Sequence, residues 1–215
     1  MDEMKFPSEQ VELPSKGLLY PKENPLSKGK VEMKYMTAKE EDILTNQSFI
    51  SKGVVLDKLL EALIVNKDIK LDDLLVGDKN AILISSRILG YGKDYDIVYA
   101  GETHTVDLSL LNNKKINKDL FKNGNNFEFL LPHSQTPITF QLLTGNLDKK
   151  IDGEVKGLKK INKNASPEST TRLKYTITSV GGDESNKSVR EFVDTYLLAR
   201  DARALREYIV EIQPD

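Results

Sequence analysis

Cysteine and tryptophan are absent from the sequence, and only two of its 215 residues are histidine. Without cysteine the chain can form neither disulfides nor thiolate zinc sites, and it has no cysteine nucleophile. His104 and His133 alone are too few for a metal site built from several imidazoles. We therefore expect no cofactor and no bound metal.

Long hydrophobic runs are also missing, and the run at residues 81–84 is typical of their length. A membrane-spanning helix needs about 20 apolar residues, so we expect no membrane partner. The first ten residues are polar and acidic, unlike a secretory signal, which predicts a cytoplasmic location. The net charge of −2 disfavours bulk electrostatic binding of nucleic acid.

Residues 1–29 are rich in proline and yet contain apolar side chains. Proline lacks a backbone donor and interrupts helices, so the segment is expected to be an extended arm. Deleting the arm is expected to leave a folded core that no longer binds its partners. A disordered, proline-rich tail is the alternative interpretation. The arm's candidates for contact with a partner protein are Leu13, Leu18, Leu19 and Tyr20.

After the arm, the pattern predicts one strand followed by helices. Apolar and polar residues alternate over 30–36, as in a half-buried strand. Thr37 and Glu40 then match a capping box, which starts a helix. Helical spacing of apolar residues predicts a second helix over 53–65, and Asp78 is expected to cap a third.

Between residues 94 and 144 the hydrophobic period changes to two, which favours a small antiparallel β subdomain. The strands are expected at 95–99, 103–108, 126–131 and 138–143. Helical spacing returns after residue 145, and Ser188 with Glu191 matches a second capping box. Segment 171–180 is compatible with strand or helix, and its place between helices favours helix. No repeat with a period of 20–50 residues is visible.

The complete prediction is an α+β fold, a mainly helical body with a mid-chain β subdomain and an N-terminal arm. Its parts are the arm (1–29), a strand plus helical unit (30–92), the β subdomain (93–144) and a C-terminal helical unit that packs on the first (145–215).

Nucleotide-binding, metalloprotease and serine-hydrolase motifs are all absent from the sequence, and we expect no enzymatic activity. A hydrolase that uses His104 or His133 as general base is one alternative. A nucleic-acid-binding module that uses the lysines of residues 149–163 is another. No aromatic residues are interleaved with these lysines, so a solvated helix face is the favoured interpretation.

An arginine-rich segment near residue 200 supplies further partner-contact candidates. Arginine is common where a charged group is fixed at a protein interface. Salt bridges along a surface helix explain the same pattern equally well. The candidates are Arg200, Asp201, Arg203 and Arg206.

Several segments resemble, in the same order, the baseplate hub assembly proteins of T-even (T4-like) contractile-tailed bacteriophages. They are residues 13–21, 29–44, 73–84, 87, 91–92, 105–109 and 198–206. The resemblance spans most of the chain, and the ordered series carries it rather than any single motif. It implies a non-enzymatic protein of phage tail morphogenesis. Its partners would be other baseplate hub proteins, in the host cytoplasm during assembly or in the tail baseplate of the virion, with a homo-oligomer as a further option.

The chain departs from this family in one hairpin. Many relatives have a Cys-x-x-Cys knuckle there that looks like a zinc ribbon, whereas residues 100–104 of this chain contain no cysteine. The resemblance therefore implies a degenerate ribbon without metal. We expect side-chain packing to hold it instead, through Tyr95, Val98, Val106 and Leu108.

Overall fold

The computed structural model describes residues 7–164 and 166–215, and its mixture of helices with small antiparallel sheets confirms the α+β prediction. The chain divides into two compact units. Within the described residues, the first unit comprises 7–17, 21–115 and 214–215, and the second comprises 18–20 and 116–213.

The first unit contains two hairpins and four α-helices. Its elements are β1 (Ser8–Glu12), β2 (Lys30–Lys34), α1 (Ala38–Leu44), α2 (Gln47–Lys52), α3 (Val55–Leu63), α4 (Val76–Tyr91), β3 (Asp94–Tyr99) and β4 (Glu102–Asp107). Strand β1 pairs with β2, and β3 pairs with β4. The predicted capping box is present at Thr37 and Glu40. Burial would raise the pKa of Glu40, but hydrogen bonds from Lys34 and Thr37 outweigh it and lower that pKa to about 2.

The second unit contains one three-stranded sheet and four α-helices. Its elements are β5 (Phe127–Leu130), β6 (Pro137–Phe140), α5 (Gly145–Ile161), α6 (Glu168–Thr176), β7 (Ile177–Val180), α7 (Asn186–Glu191) and α8 (Ala199–Ile212), with a π-helical turn at Phe192–Tyr196. The strand order is β5-β6-β7. Segment 171–180 is therefore helix in its first part and strand in its second. The second capping box is wrong, because Ser185 caps α7 and accepts from the amide of Ser188.

The division into units differs from the predicted one. The β3–β4 hairpin belongs to the same compact unit as the first helices, and β5 and β6 belong with the C-terminal helices. The predicted β subdomain at 93–144 is thus split at residue 115. The reason is pairing: β6 hydrogen-bonds to β7, which lies after residue 176, so the second pair of strands belongs with the later chain.

The predicted arm is, from Pro7 onward, part of the folded core rather than a free extension. Strand β1 pairs with β2 over its whole length, and Val11 faces Val31. Leu13 is only 1% exposed, and Leu26 is fully buried. Residues 1–6, which also belong to the predicted arm, lie outside the described residues.

Both units are built from the same series of elements. A hairpin leads to a threonine at the N-cap position of a helix, and a later helix ends at an isoleucine that pairs with the second strand of the hairpin. The strand register is also the same. The equivalent cross-strand pairs are Val11–Val31 and Glu9–Met33 in the first unit, Phe129–Ile138 and Phe127–Phe140 in the second. The equivalent capping threonines are Thr37 and Thr144, and the equivalent isoleucines are Ile64, opposite Met33, and Ile177, opposite Phe140.

In each unit, a buried aspartate near the start of the last helix accepts hydrogen bonds from the turn that follows the first strand. We call this arrangement the carboxylate clamp. Asp78, the third residue of α4, accepts from the amide and the hydroxyl of Ser15 at 2.9 and 2.6 Å. Asp201, the third residue of α8, accepts from the amides of His133 and Ser134 at 2.8 and 3.0 Å. Both clamped turns follow a Leu-Pro pair, and both aspartates are fully buried. Asp78 is therefore not the predicted N-cap, since Leu75 occupies that position.

The fold is thus one supersecondary unit used twice, over residues 8–91 and 127–212. Thr144 follows Thr37 by 107 residues, and Asp201 follows Asp78 by 123. This spacing is far longer than the periods of solenoid repeats. The β3–β4 hairpin follows the first copy and has no counterpart after the second within the described residues.

Candidate interaction surface

The β3–β4 hairpin is an exposed ribbon, and we use that name for residues 94–107. Every residue of β3 is exposed. Within the described part of the chain neither strand pairs with a third, so both long edges lack a partner strand. The two-residue loop places Ala100 and Gly101 at φ angles of 52° and 86°, as a tight type I′ turn requires.

One face of the exposed ribbon is apolar and aromatic. Side chains alternate along a strand, so Tyr95, Ile97 and Tyr99 point to the same side. Tyr99 is 73% exposed, and its ring lies 6.4 Å from the ring of His104. Large apolar side chains in contact with solvent and grouped on one face are typical of a protein-binding surface. The residues that face this triplet across the ribbon are Val106, His104 and Glu102.

The base of the exposed ribbon is fixed to α4 by Arg87. Its guanidinium lies over the rings of Tyr91 and Tyr95, at 5.1 and 5.6 Å from their centroids. It also donates to the carbonyl oxygens of Gly92 and Asp94. These contacts define how the ribbon leaves the helix, and they use cation–π stacking rather than a buried core.

The expectation that side-chain packing holds the hairpin is therefore only partly correct. Val98 is 76% exposed and contributes little to packing, and Tyr95 is also exposed. Val106 and Leu108 are half-buried. Arg87 and the ion pair between Lys93 and Asp107 add further contacts at the base of the hairpin.

The exposed ribbon is acidic. Residues 94–107 contain four carboxylates and neither lysine nor arginine. At its base, hydrogen bonds from Lys93 and from Ser109 lower the pKa of Asp107 to about 2, although desolvation opposes them. Asp96 accepts from the Thr105 hydroxyl at 2.6 Å. By the alternation of the strands, Glu102 shares the apolar face, whereas the three aspartates lie on the opposite face.

A second surface feature is a groove of about 710 Å³ in the first unit. Strand β1 and helix α4 contribute to its lining, together with the segment after β4. Its apolar lining consists of Val11, Ala81, Ile84, Ile88, Leu89, Leu108 and Leu111. The volume falls within the roughly 300–1,000 Å³ of ligand pockets in proteins. We call this feature the β1–α4 groove.

The arm candidates separate into buried and accessible residues. Leu13 and Leu19 are buried, and they serve the fold rather than a partner. Tyr20 is half-buried, and Leu18 is exposed. Of the four, Leu18 presents the most surface to a partner.

The arginine-rich candidates separate in the same way. Arg200, Arg203 and Arg206 are exposed on α8, and Arg203 donates to Glu207 at 2.8 Å, an i, i+4 pair. Asp201 is fully buried and holds the turn at His133. Burial would raise the pKa of Asp201, but hydrogen bonds from His133 and Ser134 lower it. Asp201 is therefore a structural residue.

The two histidines belong to different units and have different surroundings. His104 lies on the apolar face of the exposed ribbon, in the first unit, and His133 lies in the clamped turn of the second. The lysines of residues 149–163 are exposed, all but Lys163 on α5, and Lys159 pairs with Glu168. This arrangement is that of a solvated helix face.

Within residues 7–164 and 166–215, no three His, Asp or Glu side chains are grouped as metal ligands would be. The helices in those ranges are too short or too polar to cross a bilayer. Comparison with family models, with curated proteins and with solved structures gave no match to this chain.

Proposed function

We propose that the protein is a non-enzymatic component or assembly factor of the baseplate hub in a contractile-tailed phage, and that it acts through protein–protein contacts. The observation that supports this best is the exposed ribbon, with an aromatic face and two strand edges that lack a partner strand in the described chain. The ordered resemblance of the sequence to T-even hub assembly proteins supplies the biological setting. Host cytoplasm during assembly, and the tail baseplate, are the proposed locations.

The exposed ribbon suits this role for a physical reason. An isolated two-stranded hairpin is marginally stable in water, and unpaired strand edges invite pairing with another chain. A partner strand added to β3 or β4 would satisfy the free backbone groups, and its side chains would lie beside the aromatic face and contact it. The proposed partner is a hub protein that presents an extended, apolar and basic segment to this acidic surface.

A hydrolase that uses His104 or His133 is the weaker alternative, because the contacts described for each histidine are structural. His104 has an aromatic neighbour, Tyr99, and the backbone of His133 is held by Asp201. The exposed ribbon therefore supports protein binding more strongly than the contacts of either histidine support catalysis.

Replacing the aromatic face tests the proposal. We expect Ile97→Ser combined with Tyr99→Ser to reduce co-purification with hub proteins from infected cells by about 30-fold or more. Buried aromatic anchors of interfaces are worth about 2 kcal/mol or more each. Tagged chains would be compared by quantitative immunoblot, and tail formation would be followed by electron microscopy.

The matched control is Val98→Ser, which changes the neighbouring and more exposed residue on the opposite face. We expect the control to bind normally, and all variants to melt at the temperature of the parent. If hub proteins co-purified equally with the double variant and with the parent, the exposed ribbon would not be the binding surface.

A further inference from the structure

The β1–α4 groove lies between the first strand and the last helix of the first repeat, and in the second repeat a tyrosine packs between the corresponding elements. Seven residues after the clamping aspartate, the first unit has Ser85 and the second has Tyr208. The Tyr208 ring stacks on Phe129, with centroids 4.9 Å apart, and meets Phe140 edge-on at 6.0 Å. Phe129 corresponds to Val11, which lines the groove together with Ser85.

From this correspondence we propose that the β1–α4 groove is a binding site for an aromatic side chain of a partner protein. The two copies of the supersecondary unit share the strand register, a threonine at the helix N-cap position and the carboxylate clamp. An aromatic ring between the first strand and the last helix, as in the second copy, is therefore compatible with the first copy as well. In the second copy the ring is supplied in cis. In the first copy the helix supplies only a hydroxymethyl group at Ser85, and the space remains open.

The backbone of β1 indicates that the segment carrying this ring is extended. The Leu13 amide donates to Gly29, and the Tyr35 amide donates to Pro7. In an antiparallel ladder these bonds alternate, so the backbone groups of Gln10 and Glu12 point away from β2. Both residues line the groove. An extended segment can therefore pair with β1 while its aromatic side chain enters the groove.

The charges around the groove define the residues that accompany the ring. The lining contains the carboxylates of Glu9, Glu12 and Asp215 and one ammonium group, that of Lys114. A segment with lysine or arginine beside its aromatic residue complements this border. The site thus takes an extended, aromatic and basic segment, and it is distinct from the exposed ribbon on which the proposed function depends.

The ring pocket can be tested with p-cresol, which has the shape of a tyrosine side chain. We expect p-cresol to shift the amide resonances of Val11, Ala81 and Ser85 in ¹⁵N-labelled full-length protein. A compound of this size is expected to bind with a dissociation constant on the order of 1 mM. In Ser85→Tyr, the residue found at the equivalent position of the second unit fills the groove, and the shifts should disappear. In the matched control Ser85→Ala they should persist.

A peptide tests the rest of the site. The probe is a labelled Lys-Thr-Tyr-Thr-Lys peptide, compared with the same peptide in which alanine replaces tyrosine. We expect the tyrosine peptide to bind at least tenfold more tightly, and Ser85→Tyr to abolish the difference. A circular dichroism spectrum and melting curve equal to those of the parent establish that Ser85→Tyr is folded.

Three results would overturn the proposal: no shifts at the groove amides, shifts that survive in Ser85→Tyr, or equal binding of the two peptides. A concentration-dependent broadening of the groove amides without peptide, removed by Ser85→Tyr, would assign the groove to a second copy of this chain and also overturn it. Because these measurements use purified protein and leave residues 94–107 unchanged, their failure is separable from failure of the phage proposal.

Discussion

Replacing Asp201 by alanine is expected to destabilise the second unit by about 3–5 kcal/mol. The carboxylate is fully buried and accepts from the amides of His133 and Ser134. Hydrogen bonds to a charged group contribute about 1.5–3 kcal/mol each, and the substitution leaves two partly buried donors without their acceptor. Urea denaturation followed by circular dichroism measures the change in the free energy of unfolding.

The same clamp gives a pH dependence of defined sign. The pKa of Asp201 is lower in the folded state than in the unfolded chain. Its stabilising contribution is therefore present above the unfolded pKa of about 3.9 and is lost as pH falls through the folded pKa. The Asp201→Ala protein should lose less stability than the parent between pH 5 and pH 3.

The matched control for this experiment is Asp152→Ala, an exposed aspartate on α5. We expect the control to change the free energy of unfolding by less than about 0.5 kcal/mol, as surface substitutions usually do. If Asp201→Ala and Asp152→Ala were equally stable, the clamp would contribute nothing to the fold.

Removal of residues 1–17 is expected to unfold the first unit. The truncation deletes β1, the buried side chains of Val11 and Leu13, and Ser15, which the Asp78 carboxylate holds. The loss of one large buried side chain costs about 2–5 kcal/mol, and an unpaired buried carboxylate adds to it. Together these losses approach or exceed the 5–15 kcal/mol that stabilises a typical domain.

The measurement is the ¹⁵N spectrum of the truncated chain, in which the amides of α4 should collapse to unfolded positions. A chain that begins at Pro7 keeps β1 and Ser15, and it should give the parent spectrum. Dispersed α4 resonances in the truncated protein would contradict this expectation. They would mean that the N-terminal segment is not needed for folding, as the proline content predicts for an extended arm.

Much of the local structure could be predicted because it depends on neighbours in sequence. The Thr37–Glu40 capping box, the strand alternation at 30–34 and the hairpin at 94–107 all follow from short-range patterns. Short-range patterns also predict Asp78 to be an N-cap, since aspartate near a helix start usually has a local role. Its actual partner, Ser15, lies 63 residues earlier, and no local pattern identifies so distant a partner.

The candidate sites were harder to predict for a related reason. The apolar residues of the arm and of the exposed ribbon look alike in sequence, yet Leu13 is buried and Tyr99 is exposed. The two hairpins differ in what lies next to them. Helix α4 contacts β1, whereas no third strand pairs with the exposed ribbon in the described chain. The alternation of apolar and polar residues in a two-stranded hairpin therefore does not predict whether its apolar face is buried.

The duplication did leave a signal in the sequence. Residues 74–82 and 197–205 share a pattern of two leucines, an aspartate four residues after the first and an alanine followed by an aliphatic residue. The Leu-Pro pairs at 13–14 and 131–132 recur at a similar distance. A search limited to periods of 20–50 residues could not align them.

The central claim is that the protein acts by binding other baseplate hub proteins. Photocrosslinking during infection tests this claim most directly. A photoreactive phenylalanine at position 97 places the reactive group on the aromatic face of the exposed ribbon, and position 61, exposed on α3, is the control. The account predicts a discrete crosslink from position 97 to a phage baseplate hub protein and none from position 61. Indistinguishable, diffuse crosslinking from the two positions would contradict it.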